Sequence, residues 1–373
     1  MYKFVNRDEG SSVYSAVSEI LLSRPEWTRI NRNSERFNLI LAERNRPAYA
    51  RLGASQAINY YRGSSKLLCR KVSLVRTVRS ISDASGLCPY RWMPLSFVIV
   101  PTSITEQSQA QAKKYNATAN ARDEREQFLE VYNASCGNRN IWIGKSNAGA
   151  KGESIFISSD PKEILESIDK QHQAYVVQKY IEDPLLLDGQ RKFDIRVWVL
   201  LDHLFKIHVF SEGVLRTSSE PYDLDSLSNM TSHLTNHCIQ EAHSQNFGQY
   251  ERGNEMFFSE FERFLLGRDG IDFKQVIAPQ IHAIIKECLM GIEEGISTTG
   301  LSYHSFQLFG FDFMIDQKYK VWLLEVNGAP ASASDLLPSI SRQIVTAAID
   351  PLFPPKDMPE QKDEMFGVFV QIN

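Results

Sequence analysis

Asp312, Glu325 and Asn327 lie in FQLFGFDFMIDQKYKVWLLEVN (306–327), which reads as two strands joined by a polar turn. Side chains alternate along a strand, so Glu325 and Asn327 share a face, and a hairpin brings Asp312 beside them. Two carboxylates and an amide oxygen are hard ligands, the set Mg²⁺ takes when it also binds phosphates. The plainer alternative is a hairpin with solvated carboxylates. Against it, WLLEVN sets Glu325 in an apolar run, where an unpartnered carboxylate is costly. The same alternation puts Val321 and Leu323 on the Glu325 face, and Trp322, Leu324 and Val326 on the other.

A second stretch carries charge on one face. In RKFDIRVWVLL (191–201), Phe193, Ile195, Val197 and Val199 alternate with Lys192, Asp194, Arg196 and Trp198. Charges of both signs on one strand face suggest the floor of a site that holds a polyanion; the alternative is an outer face with internal ion pairs. A hairpin over 203–222 delivers Arg216 after a turn at Glu212 and Gly213. In NIWIGKSNAGAKGESIFIS (140–158), two strand-like runs flank a loop with Lys145, Gly149, Lys151 and Gly152. Glycine lets backbone N–H groups approach an anion, and lysine neutralises it. The strand–GxxxxGK[ST]–helix order of a P-loop is absent. The strand in AYVVQKYI leads into a connector, so Gln178, Lys179, Tyr180 and Ile181 could frame an adenine or simply end a strand. HLTNHCIQ offers Asn236 to a site; His233 and His237 lack a third ligand and are expected to be hydrogen-bonding histidines.

These residues need elements to hold them. The chain opens on a short edge strand (2–6), then a helix capped by Ser11 or Ser12 with Val13, Val17, Ile20 and Leu21 on its apolar face. A buried strand falls within 90–101, a polar mobile loop over 103–122, and helices over 124–132 and 161–171. Residues 223–232 are polar and read as mobile. Two amphipathic helices follow, marked by Phe257–Leu265 and Val276–Ile292 spacings, then a helix near 340–349 and a terminal strand, GVFVQI.

At 373 residues the chain can bury two or three cores. No apolar run is long enough to span a membrane, and MYKFVNRDEG lacks a signal-peptide apolar region. Five dispersed cysteines without a CxxC pair suggest reduced thiols, a cytoplasmic location and no structural zinc. The net charge of −4 hides an asymmetry: residues 1–80 hold 15 Lys and Arg against 6 Asp and Glu. Arg44, Arg46, Arg51, Arg62, Lys66, Arg70 and Lys71 cluster there with Tyr49, Tyr60 and Tyr61 between them. Nucleic acid, a solvated face and an acidic protein surface all remain open for such a patch.

The Gly/Lys loop, QKYI, KFDIR and the D…EVN pair resemble the ATP-grasp fold. More narrowly, KFDIR, TNHCIQ, SFQLFGFDFM and VWLLEVNGAP resemble the tubulin–tyrosine ligase family, through nearly the whole chain. The resemblance implies an α/β protein: a small α/β N-terminal domain (1–68) that engages tubulin, and ATP-grasp-like central (69–183) and C-terminal (184–373) domains clasping ATP. It implies a monomer that binds neither nucleic acid nor membrane. Its substrates would be free L-tyrosine and the acidic C-terminal tail of α-tubulin in the α/β heterodimer, with ATP, Mg²⁺ and possible K⁺ dependence. Amide formation would pass through an acyl phosphate. Lys145 and Lys151 would hold phosphates, Gln178, Lys179, Tyr180 and Ile181 the adenine, and Lys192, Asp194 and Asn236 further parts of the nucleotide. Arg196 and Arg216 would meet the transferring phosphoryl group and the tail carboxylate; Asp312, Glu325 and Asn327 would hold metal. The rivals are a ligase adding glutamate or glycine to tubulin, an ATP-grasp ligase acting on a small metabolite, and a tubulin-binding protein without catalysis.

Overall fold

The computed structural model describes residues 1–42, 46–104, 123–135, 139–148, 154–356 and 366–372. Arg44, Lys151, Gly149, Gly152 and most of the expected loop at 103–122 lie outside the described residues.

Three sheets organise the chain. In the first, β1 (Tyr2–Asn6), β2 (Trp27–Arg29), β3 (Leu39–Leu41) and β4 (Ala57–Ile58) run parallel in the order β4-β3-β1-β2. β1 is therefore an inner strand, not the edge expected, and Phe4 and Val5 are fully buried. The outer side of β4 is taken by β12 (His304–Ser305), from far along the chain. Ser11 caps helix Ser12–Leu22, accepting from the Tyr14 N–H, and Val13, Val17 and Leu21 turn inward.

The second sheet is antiparallel, β5 (Ser96–Ile99), β6 (Trp142–Ser146), β7 (Ile155–Ser158) and β8 (Tyr175–Lys179), in the order β5-β8-β6-β7. Gly144 in β6 allows the ring of Phe156 to close over it: a Cβ there would lie 2.2 Å from that ring.

The third and largest sheet holds β9 (Arg191–Leu201), β10 (Ile207–Pro221), β11 (Glu255–Phe257), β13 (Gln307–Ile315) and β14 (Val321–Asn327) in the order β11-β10-β9-β13-β14. β15 (Phe369–Ile372) also pairs with β10. The expected hairpin over 203–222 is instead one half of a longer one. The turn is at 202–206, and β10 runs unbroken through Glu212 and Gly213 with only a register shift there. Gly213 admits the Phe258 ring, 2.3 Å from where a Cβ would stand.

One face of this sheet is apolar throughout. Phe193, Ile195, Val197, Val199, Phe309, Phe311 and Phe313 join one core with helices Phe258–Asp269 and Ala278–Met290. The opposite face changes character along β9. Lys192, Asp194 and Arg196 face a cavity. Trp198 and Leu200, further on, pack with Phe4, Val17, Leu336 and Ile340 under the N-terminal sheet and helix Leu337–Ile344. Residues 223–232, expected to be mobile, are ordered and include the short helix Met230–His233, whose Ser232 and His233 are buried.

Candidate active site

A cavity of about 850 Å³ lies between the second and third sheets. Lys145 of β6 and Gln178 of β8 reach it from one side; β9, β10, β13 and β14 supply the other. Every expected nucleotide, metal and catalytic residue among those described lines it: Lys145, Gln178, Lys179, Tyr180, Ile181, Lys192, Asp194, Arg196, Arg216, Asn236, Asp312, Glu325 and Asn327.

The floor is a charged row laid across strands. Register pairs Glu255 with Arg216, Arg216 with Asp194, Arg196 with Asp312, and Asp312 with Glu325. Directly opposed residues hold their Cβ atoms about 5 Å apart, so these side chains meet. Arg196 grips Asp312 with two nitrogens, Nη2 at 2.7 Å from Oδ2. Arg216 pairs with Asp194 and also donates Nη2–H to Asp312 Oδ2 at 2.8 Å. Thr235 donates its hydroxyl to Asp194 Oδ1 at 2.5 Å. Burial works against a charged Arg216, but Asp194 and Asp312 outweigh it and hold the guanidinium firmly protonated. The charges expected on one face of β9 are thus buried in a site, with ion pairs inside it.

The β13–β14 hairpin forms as expected, but its face assignment is corrected by a bulge. Register runs from Gly310↔Asn327 to Asp312↔Glu325 and resumes at Phe313↔Leu323, leaving Leu324 unopposed. One extra residue flips the alternation. Val321, Leu323 and Val326 therefore share the core, while Leu324, Glu325 and Asn327 line the cavity. Asn327 Nδ2 donates to Asp312 Oδ2 at 3.4 Å and to Glu325 Oε1 at 3.2 Å, so the three side chains converge. An oxygen-only set of two carboxylates and an amide fits Mg²⁺, which completes its shell with phosphate and water oxygens. Among the described residues no cluster of three or more His, Cys, Asp or Glu side chains could hold a metal, so the phosphates' share is essential to that fit.

Two lysines, Lys192 buried and Lys145 half-buried, have no carboxylate in contact among the described residues. Lys145 Nζ donates to Gln178 Oε1 at 2.8 Å, and Gln178 is itself held by Ser96. Burial pushes the Lys145 ammonium down to about 8, with Glu325 opposing and Lys71 assisting. Lys192 falls further, to about 7, through burial and the repulsion of Lys145, against Asp194. Its Nζ donates to the Tyr180 hydroxyl at 2.6 Å and lies over the Tyr180 and Tyr222 rings. His233 completes this support. Its Nε2 lies 3.1 Å from the Ser226 carbonyl, which can only accept, so Nδ1 accepts from the Tyr180 hydroxyl at 2.9 Å. Such lysines are poised for an anionic ligand, whose charge would restore their protonation.

Some expected residues are placed elsewhere or differently. Lys179 turns to Glu182. His233 and His237 are hydrogen-bonded as expected, His237 to the Gly253 carbonyl. Of the basic group, Arg70 and Lys71 line this cavity, and Lys71 Nζ lies 3.2 Å from Glu325 Oε2. Burial would raise the Glu325 carboxyl; Lys71, Arg196 and Arg216 outweigh it and hold it well below the usual carboxylate range. Arg46 stacks on Tyr60 with its guanidinium carbon 3.5 Å from the ring centroid, and Arg62 lies over Tyr49. Arg51 pairs with Glu35, and with Arg7 and Arg46 they border a separate cavity of about 160 Å³. Lys66 is exposed. Sequence reasoning missed Thr235 and Glu255 in the main cavity. Thr235 sits beside Asn236 in TNHCIQ, where a signal existed; Glu255 has none.

Comparison with known proteins bears on this geometry. The Tubulin-tyrosine ligase family profile matches residues 53–361. Tubulin glycylase 3D of Tetrahymena thermophila is 37% identical over 201 residues, covering 52% of this chain and 19% of the relative. The probable tubulin polyglutamylase TTLL2 of Homo sapiens is 28% identical over 355 residues, covering 91% of this chain and 54% of the relative. The probable tubulin polyglutamylase ttll-9 of Caenorhabditis elegans is 27% identical, covering 85% of this chain and 72% of its own length. The chain thus spans a fifth to a half of the first two relatives. The matched region contains all the described residues that line the charged floor, from Lys71 to Asn327, and the chain belongs to the Tubulin-tyrosine ligase family.

Proposed function

We propose that this protein is an ATP-dependent ligase that joins the amine of a free amino acid to a carboxylate of tubulin's acidic tail, in an ATP-grasp-like arrangement of the second and third sheets. The observation that carries it is the cavity itself. Two lysines from different sheets, the half-buried Lys145 and the buried Lys192, line one space with Arg196 and Arg216 and an oxygen ligand set. That is the equipment for holding a nucleoside triphosphate and bringing a second anion to it.

In this reading Lys145 and Lys192 hold phosphate oxygens, and Gln178 to Ile181 frame the base. Arg196 and Arg216 draw the tubulin carboxylate to the γ-phosphate, giving an acyl phosphate and ADP. A Mg²⁺ ion held by Asp312, Glu325 and Asn327 would offset the repulsion between a carboxylate and a triphosphate. The amine then displaces phosphate. Arg46, Arg51 and Arg62 offer an acidic tubulin surface a basic face.

The relatives' names support glycine or glutamate as the amino acid. Tyrosine is the second reading, carried by the description of the family whose profile the chain matches. The test is ATP-dependent incorporation of labelled glutamate, glycine and tyrosine into tubulin, run in parallel. Incorporation of any one supports the ligase reading and names the amino acid. Tubulin binding without incorporation of any of them, by folded protein with Mg²⁺ and ATP, overturns it.

A further inference from the structure

We infer that Glu255 is the subsite for the ammonium group of the incoming amino acid; this rests on the ligase reading above. Among the described residues four carboxylates line the cavity: Asp194, Glu255, Asp312 and Glu325. Three already have cations in contact. Arg216 takes Asp194, Arg196 and Arg216 take Asp312, and Lys71 takes Glu325. Glu255 forms no ion pair and accepts no side-chain hydrogen bond among the described residues, although it is half-buried on β11.

Its place in the row gives that vacancy a meaning. The row runs from Glu255 through Arg216 and Asp194 to Arg196, Asp312 and Glu325. The Glu325 end carries the metal-type donors. At the other end Arg216 stands directly opposite Glu255, yet its guanidinium hydrogen bonds go to Asp194 and Asp312. The groups acting on Glu255 across the space are His237, Asp335 and Arg216. None of these supplies a contact, so among the described residues the position is open to a cation that comes with a ligand. Apart from the Mg²⁺ assigned to the Glu325 end, the cationic group the ligase reaction requires is the amine of the free amino acid, protonated near neutral pH. Held at Glu255, it lies next to Arg216, where the acyl phosphate would form.

The chemistry balances. The ammonium gives one proton to the Glu255 carboxylate. The freed nitrogen pair attacks the acyl carbon, the C–N bond forms, and the C–O bond to phosphate breaks. Phosphate leaves with that electron pair and takes the second N–H proton; Glu255 returns its proton to water. Burial raises the Glu255 carboxyl above its ordinary value, which suits a proton acceptor.

Glu255→Gln removes the charge at nearly constant shape. Two nucleophiles are compared on tubulin with ATP: the amino acid that wild-type protein incorporates, and hydroxylamine, which is neutral and traps an acyl phosphate as hydroxamate. The expected result is a KM for the amino acid raised tenfold or more and an amide-to-hydroxamate ratio lowered tenfold or more. The acidic limb of the amino acid's kcat/KM profile should be lost as well. Glu255→Asp keeps the charge but withdraws it by one methylene. It should fall between wild type and Gln, and should itself raise the KM if the Gln variant does not fold. Unchanged KM and ratio in an active background overturn the inference alone. Wild-type protein that yields neither amide nor hydroxamate overturns the ligase reading, and the inference with it.

Discussion

Lys192→Met should stabilise the nucleotide-free protein at neutral pH and flatten its response to alkali. Lys192 is 3% exposed, and burial with the repulsion of Lys145 brings its ammonium down to about 7. The unfolded chain keeps that proton up to the ordinary lysine range near 10.5. Between the two values the unfolded state holds more protons, so raising the pH favours the fold, by up to about 1.4 kcal/mol per pH unit. From pH 7 to 9 this one group contributes about 2 kcal/mol of added stability, and below pH 7 its contribution is flat. Lys145, brought down to about 8, adds in the same direction in both proteins. The assay is urea unfolding without nucleotide at pH 7, 8 and 9, for wild type and Lys192→Met. Wild type should gain roughly 2 kcal/mol or more over this range, the variant much less, with the variant the more stable at pH 7. Equal slopes, or a variant less stable than wild type at pH 7, would refute the reasoning that burying the Lys192 amine costs the fold.

Glu325→Gln should lower ligase turnover by about 10²–10³, because it removes a charge aimed at the reacting groups and leaves Lys71 without its carboxylate; steady-state rates with thermal unfolding as a control for folding check it. Gly213→Ala should destabilise by about 1–3 kcal/mol in denaturant unfolding, since its Cβ would stand 2.3 Å from the Phe258 ring in a packed core.

Much of the site was legible because strand alternation exposes chemistry directly. Lys192, Asp194 and Arg196 could be assigned to one face of β9 from period alone, and the structure lines one cavity with all three, burying Lys192 and Asp194. What escaped was whatever alternation does not encode. The bulge at Leu324 reverses the faces of β14 upstream of Glu325, and no residue type there announces it. Gly213 resembles a turn residue, yet it serves a close approach by Phe258 inside a continuous strand. β1 reads as an edge strand because its partners are set by parallel crossovers, which lie beyond any local window. Lys71 belongs by sequence to a basic run but by geometry to Glu325, over 250 residues away, and only tertiary structure separates it from Arg46 and Arg51.

The strand that completes the first sheet has a mechanical consequence. Because β4 is flanked by His304–Ser305, and Phe4, Val13 and Val17 share a core with Trp198, Leu336 and Ile340, the first sheet is braced against the charged floor rather than tethered to it. Arg24, on the same module, is clamped to Asp350 by two hydrogen bonds. A partner gripped by the basic face would then present its carboxylate to Arg216 across a span fixed by packed side chains, with no loose linker whose entropy must be overcome. In the proposed function the module would act as a ruler, its length set by the interface between the first and the last thirds of the chain.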